Sequence, residues 1–252
     1  MKRRNLFIFG MFLMPVYMYA QDTTYYDLND DKTKSLKLAQ YYKVIIPDSV
    51  HADRSIEREY SIAGKLKLEK KLLEVRDEKG DKKPVKKLDG KYRTWYENGQ
   101  LHKDIDYTNG NFEGQLLTYW ENGELKRKDL YKGNKLIEGI CYDSLGSKVE
   151  YIPYEQMPRF RGGDQELFKY LSQHVRYPVS AQKNGIQGRV ITQFVVDKEG
   201  NIVDLKVLRS VAPDLDAEAL RVIRLMPAWE PGKQEGKEVR VKYTLPVNFR
   251  LQ

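Results

Sequence analysis

The plainest pattern lies at the C-terminal end. Val239, Val241, Tyr243, Leu245, Val247, Phe249 and Leu251 recur at period two, with Arg240, Lys242, Thr244, Asn248 and Arg250 between them. Such alternation predicts a strand with one face on a core and the other in water. Pro246 is the one interruption. It has no N–H to give a ladder, so the strand belongs at a sheet edge or carries a bulge. Upstream the period changes. Leu167, Tyr170, Leu171 and Val175 are spaced for a helix over 164–175, with Asp164 near its N-cap. Pro178 can open a second, short helix that Gly185 would end. Val190, Thr192, Phe194 and Val196 share one face of a strand, 197–201 turn, and Val203, Leu205 and Val207 share a face of the returning strand. Leu215, Ala219, Val222, Ile223 and Met226 then form a helical stripe. Asp214 and Asp216 stand at its start and Arg221 and Arg224 toward its end, as the helix dipole favours, and Pro227 stops it. The expected C-terminal fold, over 155–252, is α+β: two or three helices on a three-stranded antiparallel sheet.

The middle of the chain repeats. GKYRTWYENG at 90–99 returns as GQLLTYWENG at 114–123, a pitch of 24 residues. Each copy has a leucine two places on, Leu101 and Leu125, and later a tyrosine, Tyr107 and Tyr131, shortly before a second glycine turn. A shorter copy runs from Gly139 to Gly146, and a fainter one covers 60–66. Asn-Gly is a strong hairpin signal, because a type I′ turn needs φ > 0 at both central residues. The aromatic residues beside it suit strands. The expected result is an all-β antiparallel meander of hairpin repeats over 21–154, in which neighbours stack to share an apolar face. Strands are also expected at 25–26 and 41–46. Leu68, Leu72 and Leu73 fit a helix, but the charged segment around them fits better a strand pair turning at 79–81. Pro153, Pro158, Gly162 and Gly163 mark 151–163 as a linker.

Lys2, Arg3 and Arg4 precede an uncharged run from 5 to 19, rich in Leu, Phe, Ile, Met and Val, and Ala20 offers a cut site. This predicts a cleaved secretory signal over 1–20. The run is shorter than the roughly 20 apolar residues of a membrane span, so retention as an anchor is the lesser alternative. Three units of the formal net charge of +8 lie in that leader. The rest is a mild surplus with acids interleaved, which does not suit a nucleic-acid platform. Cys141 is the only cysteine, so an intramolecular disulfide and a cysteine metal cluster are excluded. His51, His102 and His174 stand far apart. No phosphate-cradling glycine loop, nucleophile elbow or metal-spaced histidine pair occurs. The chain therefore has no expected catalytic, cofactor or metal residues.

Several motifs together resemble the TonB C-terminal domain family: FRGG at 160–163, RYP at 176–178, GIQGRV at 185–190, FVVD at 194–197, Gly200, LDAEA at 215–219, MPAWEPG at 226–232 and YTLPV at 243–247. The repeats over 87–151 resemble MORN-like repeats. The first resemblance implies a periplasmic domain that grips an extended segment of an outer-membrane receptor's plug by strand addition at a sheet edge. Carried onto this sequence, it implies an edge at 239–248, with Val239, Arg240, Val241, Lys242, Tyr243, Thr244 and Leu245 as the contact strand. Arg189 and Trp229 are further candidate contacts, Trp229 being more at home in a core. The family also implies an inner-membrane proton-driven complex as partner, and includes domains that dimerise by exchanging strands. This chain departs from the pattern. Its leader has no His or Ser for proton coupling, and hairpin repeats replace the long Pro-rich spacer. Coupling to the proton-motive force therefore does not follow. An envelope scaffold whose repeats bind a protein, lipid or peptidoglycan through Trp95, Tyr96, Tyr119 or Trp120 is the alternative.

Overall fold

The computed structural model describes residues 22–76 and 83–251. The expected leader over 1–20 and the expected turn at 79–81 lie outside the described residues. The chain divides into two compact units, 1–151 and 152–252.

Among the described residues the strands of the first unit form a single antiparallel sheet. Its strands are β1 (Asp22–Tyr26), β2 (Lys32–Thr33), β3 (Tyr41–Pro47), β4 (Arg54–Ser61), β5 (Leu66–Val75), β6 (Val85–Trp95), β7 (Leu101–Thr108), β8 (Asn111–Tyr119), β9 (Leu125–Lys132), β10 (Lys135–Tyr142) and β11 (Lys148–Val149). From β3 to β11 each strand pairs with the next in sequence, and β1 lies between β3 and β2. The segment with competing helix and strand spacing is thus the strand β5.

The repeat turns differ from expectation at the Asn-Gly pairs of the two full copies. Gly99 and Gly123 have positive φ, at 88° and 91°, but Asn98 and Asn122 do not. The turn is a tight one closed by Gly99 N–H to the Tyr96 carbonyl (2.9 Å), with the glycine in the left-handed region, not type I′. The asparagine side chains have other work. Asn98 Oδ1 accepts from the Gln100 N–H (2.9 Å), and its Nδ2 donates to the Glu121 carbonyl of the next repeat (3.0 Å). Asn122 does the same with Glu124 and with the Ser144 carbonyl (2.9 Å). The Tyr96 hydroxyl and the Trp120 indole N–H donate in parallel to the carbonyls of Tyr119 (2.8 Å) and Tyr142 (3.1 Å). Each turn is thereby tied to the next. The type I′ geometry occurs at the opposite end, where Asn109-Gly110 and Gly133-Asn134 both have paired positive φ.

The interior row of the meander runs Ile105–Leu116–Asp129–Gly139 across four strands. Ile105 and Leu116 are fully buried. The 24-residue pitch would put an apolar residue after Ile105 at 129, but Asp129 stands there. Arg127 Nη1 meets its Oδ2 at 2.9 Å, and both side chains are buried. The Tyr151 hydroxyl donates to the same oxygen (3.1 Å), and its ring lies over the Arg127 guanidinium. That ring occupies the space a Cβ on Gly139 would need.

The second unit begins where a linker was expected. Tyr154, Pro158 and Phe160 are buried, and β12 (Glu155–Gln156) pairs with β15 (Gly232–Gln234), which pairs with β16 (Lys237–Val239). Arg159 and Glu230 exchange backbone hydrogen bonds and a side-chain ion pair. The prolines of 151–163 shape a packed strap, not a free connection. Then come α1 (Gly163–His174), α2 (Val179–Lys183), the hairpin β13 (Gly188–Val196) and β14 (Ile202–Arg209), α3 (Pro213–Arg224) and β17 (Val241–Phe249). The N-cap of α1 is Gly162, and Asp164 falls in the first turn. The core gathers Phe160, Leu167, Phe194, Leu215, Ile223, Trp229 and Phe249, among others. On β14 the expected face is broken. The pairing slips between Gln193 and Val195, Asp204 has φ 53°, and Ile202 packs on the core with Leu205 and Val207 where Val203 was expected. A bulge residue shifts the alternation by one.

Candidate peptide-binding edge

The sheet order β14–β13–β17 puts β17 at the rim. It pairs with β13 without a register shift, from Gly188 opposite Phe249 to Val196 opposite Val241. Leu245, Val247 and Phe249 are buried, and Lys242, Thr244, Pro246 and Asn248 are exposed. The backbone direction follows from the proline. In an antiparallel ladder, residues alternate between pointing N–H and C=O at the partner and pointing them away. Pro246 lies opposite Ile191 in an unbroken register, and having no N–H it must belong to the set that points away. That set is Lys242, Thr244, Pro246 and Asn248. Val241, Tyr243, Leu245 and Val247 then face β13, and the Leu245 carbonyl does accept from the buried Thr192 hydroxyl at 2.8 Å. The outer side of β17 thus carries N–H donors at 242, 244 and 248, and carbonyls at 242, 244, 246 and 248.

The opposite rim, β14, is interrupted by two register shifts. Bulges of this kind blunt an edge against further pairing. The straight edge is β17.

The residues named from sequence fall into different places. Lys242 and Thr244 lie on the solvent face of β17, and Lys242 has no ion pair among the described residues. Val241, Tyr243 and Leu245 turn inward. Burial, with a lesser contribution from the Asp164 charge, raises the Tyr243 hydroxyl pKa. Val239 is not part of the edge strand: it pairs with Gly232 in the small second sheet. Arg240 lies in the break between β16 and β17 and binds Asp204 at 3.0 Å. Glu235 and Gly236, both at positive φ, close the hairpin that peels Val239 away. Arg189 is exposed and donates to Asn248 across the ladder (2.8 Å). Trp229 is only 2% exposed and packs edge-on against Phe160, Phe194 and Tyr243, so it is core and offers a partner no surface.

A groove between α1 and the C-terminal half of β17 was not foreseen. Phe168, Leu171, Val175, Tyr177, Pro246 and Phe249 line it. Phe168 is 67% exposed. The spacing 168, 171, 175 was legible as one helix face, but Leu167 and Tyr170 drew the stripe toward the core.

Among the described residues no group of three or more His, Cys, Asp or Glu side chains is arranged to hold a metal ion. No helix among them is long and apolar enough to cross a membrane.

Residues 173–251, which include β13, β14, α3 and β17, match the family model for the Gram-negative bacterial TonB protein C-terminal region. Most of the second unit is thus similar to the TonB C-terminal domain family. Residues 88–109 and 112–132 match a MORN repeat variant, in the middle of the meander. Protein TonB of Helicobacter pylori strain ATCC 700392 / 26695 is 32% identical over 83 residues, and that of strain J99 / ATCC 700824 is 30% identical over the same length. The matches cover 32% of this chain and span 28% of the length of those curated relatives. Two solution structures of the Helicobacter pylori TonB C-terminal domain are 26% identical, with TM-scores of 0.28 and 0.27. They cover 34% and 35% of this chain, and 90% and 81% of their own lengths.

Proposed function

We propose that this chain is a periplasmic TonB-like binding protein, with no catalytic site of its own. It captures an extended segment from the plug of an outer-membrane receptor along the outer side of β17, and so supports energy-dependent transport across the outer membrane. The observation that carries this is the one-sided pairing of β17. A strand with a full set of outward carbonyls and three outward N–H groups is a template for another strand, and main-chain hydrogen bonds give such complexes their affinity. The TonB family match adds the kind of partner. An export signal at 1–20 accounts for a periplasmic location, and retention of that segment would hold the protein at the inner membrane.

The test is calorimetry and pull-down with synthetic receptor plug segments, beside uptake measurements in a deletion strain. Binding and a lost uptake phenotype support the proposal; no binding together with normal uptake contradicts it. The second reading is an envelope scaffold whose repeats hold a protein, lipid or peptidoglycan partner. In its favour, two stretches of the first unit, 88–109 and 112–132, match a repeat variant and lie in its antiparallel sheet. Deleting 22–150 separates the two: a scaffold loses its cellular role while plug-segment binding survives.

A further inference from the structure

We propose that the groove between α1 and the C-terminal half of β17 is a side-chain subsite, which takes one large apolar or aromatic side chain of a peptide added at the β17 edge. The inference rests on the strand-addition reading and names the class of ligand that edge accepts.

The outer side of β17 is uneven. Lys242 and Thr244 each offer an N–H and a carbonyl, but Pro246 offers a carbonyl alone. A peptide strand continuing past 246 has one carbonyl there with no donor to meet. Its main chain is therefore held best over 241–245; the ladder has a gap at 246 before Asn248 resumes it, and the peptide residues beside that gap need another source of affinity. The groove begins at that point. Pro246 and Phe249 line it from the strand, Phe168, Leu171 and Val175 from one face of α1, and Tyr177 from the next turn. Phe168 leaves most of its ring in water beside half-buried Leu171 and Val175, which is an apolar surface awaiting cover.

Charge narrows the ligand further. Among the described residues no carboxylate lines the groove, and Arg250 is the one charged residue that does. Peptide side chains in an added strand alternate between faces. Residues seated in the groove would therefore alternate with residues on the face that bears Lys242, while Arg250 stands at the groove itself. Neither cation has an ion pair among the described residues. The fitting ligand is an extended segment of about nine residues, apolar toward α1 and acidic on the other face, with its bulkiest apolar side chain beside Phe168.

The probe is a fluorescein-labelled nine-residue peptide of alternating Glu and Val, in which each Val in turn is replaced by Phe or by Ala, titrated by anisotropy against the full chain. At one apolar position the Phe peptide should bind at least tenfold more tightly than the Ala peptide. F168S, a change at an exposed site, should remove that preference and leave the Ala peptide within twofold. S172E, which sets a carboxylate in the groove, should weaken the Phe peptide about tenfold. Equal affinities for Phe and Ala at every position, or F168S weakening both peptides alike, overturns the subsite and leaves strand addition standing. Failure of every peptide to bind overturns both.

Discussion

Asp129→Ala tests how the meander closes at its last full repeat. The carboxylate is 1% exposed and faces Arg127, itself 3% exposed, at 2.9 Å. Removing it strands a guanidinium in the interior without that counter-charge, which typically costs about 3–5 kcal/mol. A domain is commonly stable by roughly 5–15 kcal/mol, so the loss would be a large part of the whole. The Tyr151 hydroxyl, whose pKa burial and the Asp129 charge together push up, would lose its acceptor as well. The repeat supplies the control. Ile105 holds the corresponding place 24 residues earlier, so Arg127→Leu with Asp129→Ile extends the apolar row. Replacing both partners of a buried pair by apolar groups is often neutral, or stabilising by about 1–4 kcal/mol. Urea unfolding followed by hydrogen exchange on peptides from β9 and β10 reads the first unit separately from the second. A D129A variant within about 1 kcal/mol of the parent, or a double variant less stable than D129A, would refute the reasoning.

Gly200→Ala should destabilise the second unit by at least about 2 kcal/mol. Its φ is +89° and a Cβ would come within 2.1 Å of the Trp229 carbonyl oxygen, a backbone atom that cannot swing away; thermal unfolding checks it. Glu218 should make the same unit acid-sensitive. Burial alone would raise its pKa, but Arg221 at 2.7 Å and the Arg176 N–H at 2.6 Å outweigh it and hold the carboxyl below its ordinary value. With the folded pKa depressed, the contribution is full above the ordinary carboxylate range and is lost as pH falls through the folded pKa. Denaturation midpoints across pH 3–7 should therefore fall less steeply for Glu218→Gln than for the parent. Thr244→Pro should leave stability within about 1 kcal/mol, since only an outward N–H is lost, yet weaken plug-segment binding about two- to tenfold for one missing hydrogen bond. Tyr243→Pro, which removes a donor to β13, should instead destabilise the fold.

Local chemistry that acts alone was legible in the sequence. Most of the period-two run became β17, because Val241, Tyr243, Leu245, Val247 and Phe249 at strict alternation leave a strand no second choice of face. The stripe from Leu215 to Ile223 became α3 for the same reason at the helical period, and its apolar members are buried. What failed depended on partners distant in sequence. Val239 continues the alternation, but Gly232 claims it for the small sheet. Pro153 and Pro158 look like punctuation, but β15 and Glu230 capture the segment that holds them. Asn98 promised a type I′ turn, and its side chain serves the next repeat instead. Val203 lost its place to one bulge residue, Asp204, which no pattern announced. At the candidate site, Lys242 and Thr244 could be read from alternation, Trp229 proved to be core, and Phe168 was overlooked because it lies beside the stripe of Leu167, Tyr170, Leu171 and Val175 with most of its ring in water.

Amide hydrogen exchange along β17, resolved residue by residue by NMR, measures the outward backbone groups most directly. Without ligand, Tyr243, Leu245 and Val247 should exchange slowly, while Lys242, Thr244 and Asn248 exchange fast. Saturation with a receptor plug segment should slow the second set. Protection of Lys242 and Thr244 in the unliganded chain, or their continued fast exchange under saturating peptide, would contradict capture of a strand at this edge.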